Sequence, residues 1–95
     1  MDYELANELL AGVFQLEDEI MEYGVDYTHA EDLVELSRAI LELELEMEDK
    51  VELEKQLIEF EEFHADFGCD SDNFYKLWNV CMDILSRICH PLNEN

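Results

Sequence analysis

The chain has 95 residues, enough for one domain, and 48% of them are apolar, too many for a disordered acidic tail. It carries 26 Asp and Glu against 5 Lys and Arg, a net charge of −21. Direct binding to nucleic acid or to an anionic membrane is therefore disfavoured, since both are polyanions. Three glycines and one proline leave few tight turns, which argues against an all-β fold and for long helices.

Residues 2–23 read as the first helix. Leu5, Leu9, Val13, Leu16 and Ile20 recur at steps of four and three and share one face. Tyr3, Leu10, Phe14 and Met21 form a second apolar set on an adjoining face. So wide a sector calls for two neighbours. Gly24 is a stop signal.

Thr28 with Glu31 has the spacing of a capping box for a second helix over 29–48. Its inward face is Leu33, Leu36, Ile40, Leu43 and Met47. The stretch "LELELEMED" also alternates like a strand. Leu, Glu and Met favour helix, and a strand would align Glu42, Glu44, Glu46 and Glu48 at roughly 7 Å spacing, so helix is the expectation. Leu41 and Leu45 would then lie off the main face.

After Met47 the pattern changes phase. Leu53, Leu57, Phe60 and Phe67 define a face rotated by about a third of a turn. Asp49 with Glu52 is a candidate cap for a third helix over 50–67. With no Gly or Pro at the junction, the alternative is one continuous helix over 29–67, about 39 residues and roughly 58 Å long.

A loop follows at "FGCDSDNF", and a last helix spans 72–89 with Phe74, Leu77, Trp78, Cys81, Ile84, Leu85 and Ile88 inward, ended by Pro91. The expectation is an all-α bundle of three to four helices in a single domain, 1–95.

The charge is unevenly placed. The first 37 residues hold eleven acids and no base, and residues 42–62 hold ten acids and two bases. The last helix balances Asp72 and Asp83 against Lys76 and Arg87 and has the only Trp. A neutral core helix with acidic helices around it follows. Ten acids along 21 helical residues amount to one per ~3 Å of axis, near the 3.4 Å per phosphate of a DNA strand. The i,i+4 Glu–Lys pairs of an ordinary solvated helix are sparse here, with Glu46–Lys50 the favourable one.

In "QLEDEIMEY", "ELELEMED", "VELEK" and "EFEEF" the chain resembles the small acidic proteins that bacteriophages and mobile elements use as DNA mimics. Anti-restriction and anti-CRISPR inhibitors are among them. That class spans many folds and shares no motif, so it assigns no residue roles. It implies occupation of a DNA- or RNA-binding groove on a bacterial defence protein. The candidate contact residues are Glu42, Glu44, Glu46, Glu48, Asp49, Glu52, Glu54, Glu59, Glu61 and Glu62, with Glu17, Asp18, Glu19 and Glu22 as a second cluster. Some of Tyr3, Phe14, Tyr23, Tyr27 and Tyr75 are either core edge or exposed anchors.

Catalytic and metal patterns are incomplete. Glu61-x-x-His64 is half of a di-iron carboxylate motif and has no second copy. His29 follows Asp26 by three residues and His90 follows Arg87, which supplies no further pair. "DSDN" at 70–73 lacks the glycine and the last glutamate of a calcium loop. Cys69, Cys81 and Cys89 make no metal-type pair, and Cys89-His90 point apart on a helix. No phosphate-binding glycine loop is present. No enzyme activity, cofactor or metal is expected.

The N-terminus has no basic, apolar leader, and no apolar run nears the roughly 18–20 residues of a membrane span. A cytoplasmic protein with reduced thiols is the expectation. The competing reading is a helical interaction or assembly module, or a homodimer, that binds through Tyr3, Leu10, Phe14 and Met21.

Overall fold

The computed structural model describes residues 2–68 and 70–89. The chain is a bundle of four helices, α1 (Tyr3–Tyr23), α2 (Tyr27–Leu41), α3 (Met47–Phe67) and α4 (Ser71–Cys89), with no strand among the described residues. Cys69, His90 and the expected stop at Pro91 lie outside the described residues.

Consecutive helices run antiparallel. Glu19, late in α1, meets His29, early in α2; Tyr27 at the start of α2 meets His64 near the end of α3. Asp49 at the start of α3 meets Arg87 near the end of α4. α2 and α4 each pack against every other helix, while α1 and α3 do not touch among the described residues. The neutral helix α4 supplies Phe74, Leu77, Trp78, Cys81, Ile84 and Leu85 to the core, as its charge balance predicts. Trp78 Nε1 donates to the Val13 carbonyl at 3.0 Å and ties α4 to α1 across 65 residues of sequence. Ser37 is buried without cost because its hydroxyl donates to the Leu33 carbonyl at 2.8 Å and lies 3.2 Å from Cys81 Sγ.

The alternating stretch is neither helix nor paired strand. α2 ends at Leu41, and α3 begins at Met47. The connector 42–46 opens with amides of Glu42 and Leu43 bonding back three residues, to Ala39 and Ile40, which tightens the last turn. The Leu45 amide then bonds the Leu43 carbonyl at 3.0 Å, a three-residue turn, before the backbone extends at Glu46. This turn buries Leu43, packs half-buried Leu45 against the core and leaves Glu42, Glu44 and Glu46 exposed. A continuous helix would have put Leu43 and Leu45 about 200° apart. Burial of both leucines therefore breaks the rod without Gly or Pro, and earlier than the Glu48–Lys50 junction suggested by the phase change.

Other expectations shift for local reasons. The cap of α2 is Asp26, not Thr28. Its carboxylate accepts from the amides of Thr28 and His29, and His29 Nδ1 accepts the Asp26 amide in return at 3.3 Å. A histidine thus fills the reciprocal place usually held by Glu. Asp26→Ala is expected to cost about 1 kcal/mol, lowering Tm by roughly 4–8 °C in a domain of this size, as read by thermal circular dichroism.

Asp49 caps nothing, because α3 has already begun; Glu46 stands at its N-cap without a side-chain bond. Gly24 and Gly68 end α1 and α3 at φ +85°, where a side chain is strained. Leu5, Met47 and Phe67, read as inward, are exposed. All three sit within the first or last turn of their helices, where neighbouring helices give less cover.

Candidate functional site

No metal-type cluster organises the molecule. Among the described residues no group of three or more His, Cys, Asp and Glu stands close enough to hold an ion. Glu61 of the Glu-x-x-His pair instead accepts from Arg38 at 2.8 Å. His64 is held by ring contacts, edge-on to Tyr27 at 5.0 Å and stacked on Phe60 at 6.1 Å. Its buried Nδ1 has no hydrogen-bond partner. His29 is buried between two carboxylates: Nδ1 lies 3.3 Å from the Asp26 amide nitrogen and 3.2 Å from Asp26 Oδ1, and Nε2 lies 3.3 Å from Glu19 Oε1.

Burial pushes the Cys81 thiol up to about 11, with Ser37 opposing only weakly. Cys89 is raised by burial too. Neither is an activated nucleophile. Cys81 is expected to resist iodoacetamide at pH 8 until the chain unfolds, as read by mass spectrometry. The sign for stability follows: below about pH 9 both states keep the proton. Between pH 9 and 11 only the unfolded thiol ionises, so stability falls by roughly 2–3 kcal/mol.

The distinctive surface is the acidic one. Of the fourteen predicted contact acids, Asp18, Glu22, Glu42, Glu44, Glu46, Glu48, Glu52, Glu54, Glu59 and Glu62 are exposed. Glu17, Glu19, Asp49 and Glu61 are half-buried. Three of these four have internal partners. Glu19 faces His29, Glu61 holds Arg38, and Asp49 takes a bidentate pair from Arg87 at 2.8 and 3.2 Å. The hydrogen bond from Asp49 raises the Arg87 guanidinium above its ordinary value. Asp49 is thus a tie between α3 and α4 rather than a free contact residue.

The acids do not line one rail. Residues 42–46 are connector, so the run 42–62 is not a single helix. On α3, at about 100° per residue, Glu48, Glu52, Glu59 and Asp66 fall on the edge toward α4 with Lys55 among them, and Glu54 and Glu61 on the edge toward α2. One edge carries four carboxylates over roughly 27 Å, or one per ~9 Å. The phosphate-like density of the sequence counted both edges together.

Between those edges lie Met47, Val51 and Ile58, exposed to 73%, 55% and 56%. They are exposed apolar side chains beside the α3 acids, at positions 47, 51 and 58 of one helix face, whereas the sequence pattern places Met47 inward. The predicted anchors belong to another side. Leu10 is buried in the core, where α1 packs on its neighbours. Tyr3, Phe14 and Met21 are exposed on α1, which does not touch α3. Tyr23 and Tyr27 are exposed, and Tyr75 is packed against the core.

α2 joins the two acidic regions. The groove between α1 and α2 is lined by Gly12, Leu16, Leu36 and Ala39 with Gln15, Glu19, Asp32 and Glu35. The groove between α2 and α3 is lined by Ala30, Val34, Phe60 and His64 with Glu31, Glu35, Arg38 and Glu61. Glu35 borders both, so acid runs from α1 across α2 to α3. Arg38, the one base lining these grooves, is held by Glu61. Glu31, Asp32 and Glu35 were absent from the predicted contact set, although the base-free run before Arg38 contained them.

Fold and surface together define a small acidic four-helix protein. The chain matches no family model, no curated protein and no solved structure in the comparisons made. Among the described residues no helix is long and apolar enough to cross a membrane.

Proposed function

We propose that the protein is a stoichiometric inhibitor and not an enzyme. Its acidic surface, running from α1 across α2 and over the outer face of α3 to the edge that borders α4, docks in the basic groove of a nucleic-acid-binding protein and keeps nucleic acid out. The observation that supports this reading is the uneven charge: acids run across two grooves from α1 over α2 to α3, while the exposed face of α4 balances Asp72 and Asp83 with Lys76 and Arg87. A solvated surface would mix signs. Charge steers the approach, and Met47, Val51 and Ile58 supply the apolar contact that slows release.

The resemblance to DNA mimics makes a bacterial defence protein the proposed target and the cytoplasm of an infected cell the proposed location. No direct contact with nucleic acid or membrane is part of the mechanism.

Capture from a nuclease-treated host lysate, followed by displacement, tests the proposal. The recovered protein is expected to bind labelled DNA or RNA alone and to release it at one inhibitor per site. A captured protein that retains its nucleic acid at saturating inhibitor would overturn the reading.

A further inference from the structure

We infer that two copies of the chain associate through the α1–α4 side of the bundle. The lining of the first groove turns Gly12, Gln15, Leu16 and Glu19 of α1 toward α2. Tyr3, Phe14 and Met21 lie on the opposite flank, exposed to 58%, 46% and 76%. On α4, Asn79, Val80, Asp83 and Arg87 border α3. Tyr75 and Met82 fall on the flank away from it, half-buried against the core. Trp78 fixes the two flanks beside each other: it bonds Val13 of α1, and its ring meets Tyr75 edge-on at 5.7 Å.

The occupant follows from charge. A basic partner gains nothing on this side, where aromatic and thioether groups replace acids. A second copy, also at −21, is repelled by every acidic face and can approach only where acids are fewest. Along α1, Tyr3, Asn7, Phe14 and Met21 are exposed on one face at steps of four and seven, with half-buried Glu17 beside them, while Leu10 at the same register is buried in the bundle. Asn7 and Glu17 are the polar members of that face, and Glu17 is its one charge. α1 is about 31 Å long, and two helices ~9 Å apart give a flat footprint of roughly 600 Å². That is below the ~800 Å² per partner of a standard interface and fits a weak, concentration-dependent dimer.

The dimer has a salt response opposite in sign to that of the inhibitory complex. Salt screens the repulsion between two −21 chains, so association tightens. Sedimentation equilibrium of the full chain at 0.05, 0.15 and 1 M NaCl, over micromolar to submillimolar protein, reads this directly. The mass is expected to rise from 11.2 kDa toward twice that value, with at least tenfold tighter association at 1 M.

Phe14→Asp is expected to weaken the dimer more than tenfold, and Glu17→Gln to strengthen it several-fold. Ala65→Asp, at an exposed position of α3, is expected to leave it unchanged. Circular dichroism confirms that each variant is folded. A chain that stays monomeric at every salt and concentration overturns the inference. So does a dimer that survives Phe14→Asp or dissolves with Ala65→Asp. Because no second protein is involved, failure here is separate from failure of the inhibitor proposal.

Discussion

Glu48→Gln, Glu52→Gln, Glu54→Gln and Glu59→Gln combined are expected to weaken partner binding by about 30- to 1,000-fold and to make the protein more stable. Each exposed carboxylate that meets a cation is worth roughly 0.5–1 kcal/mol, so four give about 2–4 kcal/mol. At 1.4 kcal/mol per decade this is the stated range. Stability moves the other way. All four side chains are exposed, and none has an ion-pair partner among those resolved between described residues. Removing them takes the net charge from −21 to −17 and relieves self-repulsion. A thermal melt beside a binding titration checks both signs. A variant that is more stable and binds as before would mean that the acids serve solubility alone.

Phe74→Ala is expected to cost about 3–5 kcal/mol, whereas Phe67→Ala costs under about 0.5 kcal/mol. The two phenylalanines have opposite surroundings: Phe74 is fully buried and Phe67 is 75% exposed. Phe74 sits on α4, which like α2 packs on all three other helices, so the cavity forms where the bundle has no spare element to close it. A domain of this size falls toward the lower end of the ~5–15 kcal/mol typical of folded proteins. The first variant is therefore expected to be largely unfolded at 37 °C and the second to melt like the parent. Urea denaturation followed by circular dichroism gives both midpoints. Equal midpoints would contradict the assignment of α4 as a central helix.

What the chain writes plainly is helix periodicity. α1 ends where Gly24 is expected to stop it, and α4 covers the expected 72–89, because steps of three and four with few breakers leave little alternative. The continuous apolar stripe of α4 likewise marks the residues it buries. The break at 42–46 was not legible for the same reason that α4 was. Leu and Glu favour helix locally, and only the tertiary gain of burying Leu43 and Leu45 together outweighs that preference.

The candidate surface was half legible. Exposure of the acids on α3 follows from the phase of Leu53, Leu57 and Phe60. Their division between two edges follows from the same phase, but a linear count hides it. The role of α2 depends on which flanks meet. Glu31, Asp32 and Glu35 matter because α2 lies between α1 and α3, an arrangement set by packing and absent from any local pattern. Capture of Asp49 by Arg87 joins residues 38 positions apart, which no spacing rule reaches.

The acidic face stands or falls on how its complex responds to ions. Calorimetric titration of the purified partner at 50 and 200 mM salt measures this with no competing nucleic acid present. Docking by carboxylates against a basic groove predicts a dissociation constant at least tenfold higher at 200 mM, with one protein bound per site at both salts. The same constant at the two salts would contradict it.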